Sequence, residues 1–432
     1  MAKPKLAILG GAPVHDGAWP VWPVHDEAEE AAVLEVVRSG EWGGYPMPNR
    51  FAKRFAERFA RYHDCAFGQC VANGTVSLEI ALQSAGVRPG MEVIVPAYTF
   101  EATAAAVLFA GGVPVFVDIE ADTYCISPDA VEAAITARTQ AIIPVHLGMN
   151  IADMDRLQEI ARRHGLKIVE DCAHAHGARW RGRGVGSLGD AGSFSFQSSK
   201  LMTSGEGGIV LTNDEEIMDY LFALTNCGRQ RGALRADVHV IGHNYRMTEF
   251  QAAILEVQFE RLAGQQQTRT RNIAVLESAI AAVPGLSLMR HDTRITNRAT
   301  YAYVFRYNAA EFDDLPRDAF AAALAAEGIP CDGSYFEPVF RSEIFRMDGE
   351  RYPAWHSLYK EPDCPVTLRA AYEESIWLPQ YLFLGSSSDT EQIIEAIQKV
   401  AELTSTLVGV DHPAIARQGV PRVQRPAVGV SD

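Results

Sequence analysis

The chain has 432 residues, 47% of them apolar and 22% charged, and its 39 Lys+Arg against 54 Asp+Glu give a net charge of -15. At roughly 150 residues per domain, that length suggests two to three domains with a substantial core. The composition excludes disordered, collagen-like and disulfide-scaffold classes, and the acidic balance argues against nucleic acid, whose binders carry a basic face.

No run approaches the ~18 apolar residues of a membrane helix, so no membrane partner is expected. The start, MAKPKLAILGGAPVHDG, has too brief an apolar stretch for a signal peptide. The seven cysteines are scattered and include no CxxC pair. That usage fits reduced thiols in a cytoplasmic protein. Cys65 and Cys70 lack the second pair that a metal site would need.

In chain order, Val76–Ser84 reads as a helix and Val93–Val95 as a short buried strand. Ala102–Ala110 suits a helix, and Val113–Val117 is a strand followed by Asp118. A helix at Pro128–Ile135, a strand at Ala141–Val145, a helix at Met154–His164 and a strand at Lys167–Val169 follow. This alternation predicts a mostly parallel sheet covered on both faces. Ligands of such sheets collect at the carboxyl ends of the strands. Ser193–Phe196 and Gly207–Thr212 read as further strands. A long helix starts near Thr248, which has capping-box spacing to Gln251. Its buried stripe is predicted at Phe250, Ala253, Ile254 and Val257. A domain change is placed near Pro284-Gly285, with a strand at Tyr301–Tyr307 and a helix at Arg317–Glu327 beyond it. The Pro-bearing stretch from about Val410 reads as a mobile or draped tail.

Four local features carry chemistry, each with an ordinary alternative. Asn73-Gly74-Thr75 precedes a helix, where free N–H groups can hold an anion, or where Asn73 or Thr75 simply caps it. Glu170-Asp171 follows a strand, in the ligand crevice, or forms a cap or loop salt bridge. Lys200 lies in a small-residue, Gly-rich turn running from Phe194 to Gly208. There it can meet a carbonyl as a nucleophile, or be a surface lysine. His174-Ala175-His176 after Asp171 can bind a metal or supply hydrogen bonds. An extended chain puts Asp171 on the opposite side from both histidines, so no metal is expected. Together these features are what pyridoxal 5′-phosphate needs: phosphate donors, an acid for the ring nitrogen and a lysine for the aldehyde. Phe100, after the strand Val93–Val95, is the candidate to cover one ring face.

On its motifs ANGTVSLEIAL, EVIVPAYTFEATA, PVFVDI, PVHLGMNIADMD, VEDCAHAHGA, GSFSFQSSKLMTSGEGG and NYRMTEFQAA, the chain resembles the DegT/DnrJ/EryC1/StrS aminotransferases from about Trp19 to about Leu403. The resemblance implies the aspartate aminotransferase fold (fold type I), with a mostly parallel seven-stranded sheet in the large domain and a smaller α+β C-terminal domain. It implies an arm over 1–24, a cofactor-binding domain with its long connecting helix over 25–283, a small domain over 284–405 and a tail over 406–432. Lys200 would be the Schiff-base lysine and proton carrier, and Asp171 the partner of the pyridinium nitrogen. Gly74, Thr75 and Ser195 would bind the phosphate. Phe100 and Ala173 would cover the two ring faces, and His174 would lie near the 3-hydroxyl. Asn244 would reach the phosphate of a neighbouring subunit, which implies a homodimer with shared sites. Pyridoxamine phosphate would carry the amino group between half-reactions.

The resemblance also suggests the substrates. The stretches DCAHAHGARW and SFQSSKLMTSGEGG are similar to 3-amino-5-hydroxybenzoate synthase. Tyr335-Phe336-Glu337-Pro338-Val339-Phe340 is similar to the scyllo-inosose aminotransferases of aminocyclitol antibiotic pathways. The favoured reading is transfer from L-glutamine or L-glutamate to a keto-cyclitol or unactivated keto-sugar, with a nucleotide-linked keto-sugar as the alternative. A diphosphate would need a basic groove, for which Arg179, Arg181, Arg183, Arg229, Arg231 and Arg235 are candidates. A PLP sugar dehydratase would replace Lys200 with histidine, and a non-catalytic homologue would lose Lys200, Asp171 or Ser195; this chain keeps all three.

Overall fold

Helices α1 (Glu27–Ser39) and α2 (Arg50–Tyr62) precede the first strand, β1 (Phe67–Val71). The buried rings of Phe51, Phe55 and Phe59 repeat every fourth residue of α2, which puts them on one helix face. The chain then alternates: α3 (Gly74–Ser84), β2 (Glu92–Pro96), α4 (Glu101–Phe109), β3 (Val113–Val117), α5 (Pro128–Ala134), β4 (Thr139–Ile142), α6 (Met154–His164) and β5 (Lys167–Asp171). Short strands β6 (Arg179–Trp180) and β7 (Arg183–Gly184) lead to β8 (Ala191–Ser195), β9 (Gly208–Thr212), α7 (Glu215–Thr225) and the long α8 (Glu249–Ile280). Beyond it lie β10 (Leu286–Leu288), β11 (Ile295–Asn297), β12 (Ala302–Tyr307), α9 (Arg317–Ala326), α10 (Pro353–Leu358), α11 (Pro365–Arg369), β13 (Ser375–Pro379) and α12 (Ser387–Leu403). The computed structural model describes residues 5–45, 47–231, 240–333, 336–345, 350 and 352–410. The predicted tail from 411 onward, with Arg235 and Tyr335, lies outside the described residues.

The central sheet has seven strands in the order β1-β9-β8-β5-β4-β2-β3. β9 runs antiparallel to both of its neighbours, and the other pairings are parallel. Strands β2, β8 and β9 are buried along their whole length, on both faces, as a helix-covered sheet requires. Their common direction puts the carboxyl ends of β1, β2, β5 and β8 along one edge. On β8, Phe194 faces α2, with its ring 5.1 Å from Phe59. Ser193 faces α3, where its hydroxyl meets that of Ser77. The period of two thus gives one strand an aromatic face and a small polar face.

The predicted strand at Ala141–Val145 starts and stops earlier, at Thr139–Ile142. Pro144 has no N–H to continue the ladder, although its carbonyl still accepts from Asp171 N at 2.9 Å. Asp171 is the last residue of β5 rather than the residue after it. In α8 the Thr248/Gln251 capping box forms as predicted. Of the predicted stripe, however, Ala253 is buried while Phe250, Ile254 and Val257 are only partly so. The buried face includes Glu249 and Glu256. Glu249 accepts from the Phe51 and Ala52 amides at 2.7 and 3.0 Å, and Glu256 pairs with Arg54 and Arg58. Apolar periodicity does not register a face that buries its carboxylates in this way.

The C-terminal part is built on the antiparallel sheet β10-β12-β13. A second small sheet, β11-β6-β7, joins this part to the segment that follows β5 in the chain. The segment before α1 is pinned at several points. Trp19 Nε1 donates to Gly328 O at 2.8 Å, and Ala7 N to Glu327 Oε1 at 2.8 Å. Trp22 Nε1 donates to Ser198 O at 2.9 Å, two residues from Lys200.

Candidate active site

A cavity of about 550 Å³ opens where the carboxyl ends of β2, β5 and β8 meet the N-terminus of α3. Gly74, Thr75, Phe100, Asp171, Ala173, His174, Ser195 and Lys200 all line it, but Asn244 does not. In this chain Asn244 is exposed and forms an isolated bridge with Asn226.

The anion end is built by α3. Asn73 caps the helix, its side chain accepting from Val76 N at 3.0 Å. Capping and ligand binding therefore divide between neighbours. Asn73 takes one orphan N–H, while no described residue accepts from the amides of Gly74 and Thr75, which face the cavity at the positive end of the helix. A Cβ placed at Gly74 would lie 2.5 Å from Ser195 Cβ, so only glycine lets the helix start come this close to β8. The Ser195 hydroxyl accepts weakly from Gln197 N at 3.4 Å, leaving its proton for a ligand. Two free amides and two hydroxyls in one cradle are a donor set suited to a phosphate.

At the acidic end, Asp171 is buried. Its Oδ2 accepts from the Thr103 hydroxyl at 2.9 Å and its Oδ1 from Ala173 N at 3.1 Å. Burial lifts its carboxyl above the ordinary range, against the Ala173 and Thr103 hydrogen bonds and the charge of Lys200. A cation placed against Asp171 would relieve that cost. Its neighbour Glu170 points to the opposite face of the strand and is structural. Glu170 accepts from the Gly186, Leu188 and Gly189 amides at 2.9, 2.8 and 2.7 Å, and from His146 Nε2 at 3.0 Å. Glu170, His146 and Cys172 lie close enough together to be considered for a metal. The Glu170 oxygens and His146 Nε2 are already spent on one another and on backbone, while burial holds Cys172 as a thiol.

His174 Nδ1 accepts from Gly148 N at 3.3 Å, so the proton sits on Nε2. Burial, with the charge of Lys200 adding, holds this imidazole well below its ordinary pKa and therefore neutral. His176 instead donates Nε2 to Ser195 O at 2.9 Å, outside the cavity. The two histidines and Asp171 thus form no common ligand set. Phe100 is 49% exposed, an unusual state for a large ring, and it lines the cavity mouth. Lys200 is half-buried in the turn after β8. Its Nζ lies 4.5 Å from the centroid of the Tyr301 ring.

Thr103 and Tyr301 line the site although the sequence reading did not single them out. Thr103 lies in the first turn of a helix whose apolar run dominates the pattern. Tyr301 precedes β12, on a different sheet, where the strand-end rule gives no reason to look. The spacing Thr99–Thr103, one helical turn, is the signal that could have found the first of them.

Comparison with known proteins settles the family. The model of the DegT/DnrJ/EryC1/StrS aminotransferase family matches residues 23–398. The chain belongs to that family. An L-glutamine:3-amino-2,3-dideoxy-scyllo-inosose aminotransferase of Streptoalloteichus tenebrarius, provisionally so named, is 43% identical over 92% of this chain and 97% of its own length. The L-glutamine:2-deoxy-scyllo-inosose aminotransferase of Streptomyces fradiae is 37% identical over 91% of this chain and 97% of its own. Among solved structures, 3-amino-5-hydroxybenzoic acid synthase superposes with a TM-score of 0.80 at 34% identity, covering 91% of this chain and 100% of that one. The DegT/DnrJ/EryC1/StrS chain described here is thus a PLP-dependent aminotransferase with the type I fold. No helix among its described residues is long and apolar enough to cross a membrane.

Proposed function

We propose that the cavity holds pyridoxal 5′-phosphate and that the enzyme moves the amino group of L-glutamine to a keto-cyclitol of the scyllo-inosose type. The observation that carries the cofactor reading is the convergence, in one cavity, of the free Gly74–Thr75 amides, the buried Asp171 carboxylate and Lys200. When bound, the cofactor supplies an aldehyde for the amine and a protonated ring that draws electrons from the donor carbon.

The chain's own residues do the rest. The Gly74 and Thr75 amides and the Thr75 and Ser195 hydroxyls would hold the phosphate. Asp171 would keep the ring nitrogen protonated, and Thr103 holds the carboxylate in place with its 2.9 Å hydrogen bond. Phe100 and Ala173 would cover the ring faces, and the Nε2 proton of His174 is available to the ring oxygen. Lys200 Nζ would hold the aldehyde carbon and, once displaced by the donor, take the proton from the donor Cα and return it one carbon further on. Asn244 would complete the phosphate site of a second copy, so the working unit would be a homodimer with shared sites.

The acceptor reading rests on charge as well as on kinship. Among the described residues lining the cavity, Lys200 is the only cationic side chain, His174 being held neutral. The five described arginines among those suggested for a diphosphate are engaged elsewhere, Arg235 lying outside the described residues. Arg179 pairs with Asp64, Arg181 with Asp155, and Arg231 with Glu215 and Asp219. Arg183 donates to Ser187 O, and Arg229 lies over the Tyr45 ring. Such a cavity favours an uncharged or cationic acceptor over a nucleotide diphosphate.

The test is an absorbance spectrum of the purified protein with cofactor, before and after L-glutamine. The expected result is a visible band that converts to the pyridoxamine band and returns on adding a keto-cyclitol. Lys200→Ala should retain cofactor without the covalent band and show no turnover. Full turnover by that variant would overturn the lysine assignment. Return of the band only with a nucleotide-linked keto-sugar would overturn the acceptor.

A further inference from the structure

Lys200 must spend part of each cycle detached from the cofactor, yet its Nζ forms no ion pair with any described carboxylate. What it does meet is the Tyr301 ring, at 4.5 Å from the centroid, well within the range of an ammonium–ring attraction. That ring is itself held from several sides. Its hydroxyl and that of Ser199, the residue next to Lys200, hydrogen-bond at 2.9 Å. Ser199 in turn donates to Gln197 Oε1 at 2.8 Å. The His174 ring stacks on it at 3.8 Å with an interplanar angle of 16°. Tyr301 N donates to Gly148 O at 2.9 Å, and Gly148 N donates to His174 Nδ1. A tyrosine from the C-terminal part is thus locked against the lysine loop and against the strand end that carries Asp171.

We propose that Tyr301 is a positioning residue whose ring is the seat of the Lys200 ammonium while the lysine is not joined to the cofactor. The inference rests on the reading of Lys200 as the cofactor lysine. In the amino-carrying half of the cycle the side chain has four rotatable carbons and would otherwise sample the cavity. Docked on the ring, it stays close to the carbon it must rejoin, and no carboxylate is needed that would compete with Asp171 for a cation.

The test reads Lys200 without turnover. Full-length protein stripped of cofactor is treated with a limiting amine-acylating reagent, and modification of each lysine is followed by peptide mass spectrometry. Tyr301→Phe keeps the ring and should label as wild type. Tyr301→Leu should label about 3- to 30-fold faster at Lys200 alone, the span of a ring–cation attraction, with the other lysines unchanged as the control for folding. Should the leucine variant not fold, phenylalanines of increasing fluorination at 301 keep the shape while withdrawing charge from the ring face, and labelling should rise with each fluorine. In single half-reactions, recovery of the visible band from the pyridoxamine form should slow in Tyr301→Leu more than its loss on adding L-glutamine. Unchanged labelling across the series overturns the proposal, as does a Tyr301→Phe variant that behaves like Tyr301→Leu, because the phenol would then be the active group. A Lys200→Ala enzyme that keeps its covalent band would instead overturn the lysine assignment itself, whatever the labelling shows.

Discussion

Gly74→Ala adds one carbon where the cradle has no room for it. The new Cβ would sit 2.5 Å from Ser195 Cβ and 2.8 Å from its Oγ. To restore the ordinary 3.4 Å contact, the start of α3 must retreat by about 1 Å. Gly74 has no positive φ, so alanine brings no backbone strain, and its better helix propensity would stabilise by up to ~1 kcal/mol. Overpacking works against that gain, at about 1–3 kcal/mol. The larger effect falls on the anion. A 1 Å retreat stretches a hydrogen bond of about 2.9 Å past the point where it counts as one. Losing two charge-assisted amide bonds costs about 3 kcal/mol or more, so the cofactor Kd should rise about 100-fold. The assay is titration of the visible band, with thermal melting of the cofactor-free protein alongside. The second-site control is specific. Ser195→Ala leaves the Cβ in place and should not rescue Gly74→Ala, whereas Ser195→Gly removes it and should restore part of the stability. A Gly74→Ala variant with unchanged affinity and melting temperature would refute the argument that close approach of α3 to β8 builds the cradle.

Two further outcomes follow from buried groups. Glu170→Ala strips one carboxylate from three backbone amides and His146 at once. It should cost about 3–5 kcal/mol in a denaturant melt, with Glu170→Gln milder; a loss below ~1 kcal/mol would show that the 186–189 loop holds itself. His63 and His176 are kept neutral by burial, with pKa values pushed down to about 4 and about 3 from 6.5. As pH falls through 6.5 the unfolded chain takes up these protons first. The stabilisation is therefore complete above that pH and is lost towards 4 and 3. At pH 5 the loss is about 2 kcal/mol for each histidine. Melting temperature measured from pH 7 to pH 5 should drop, and His63→Asn should flatten the drop; a profile unchanged in that variant would contradict the assignment.

Much of the large sheet and most of the site could be read directly from the residues. The short, Val-rich runs at Val93–Val95 and Val113–Val117 form the buried strands that the sequence pattern predicts. Residues just after such runs lie in the crevice by topology alone, which is why Phe100 is legible in the sequence, whereas Lys200 is marked by its small-residue, Gly-rich turn. Glu170 and Asp171 could not be separated in the same way, because the choice depends on which strand face meets α3. Asn244 was named from resemblance, and a single chain leaves it exposed.

The sequence by itself determined the local terms: strand and helix alternation, the Thr248 cap and the Gly-rich turn. Each depends on residues a few positions apart. Tertiary structure alone decided that Asn73 caps while the Gly74 and Thr75 amides stay free, that Glu249 and Glu256 are buried, and that Tyr301 lies against Lys200 from about one hundred residues away. Those outcomes depend on which distant partner satisfies each polar group once water is excluded. No spacing along the chain encodes that.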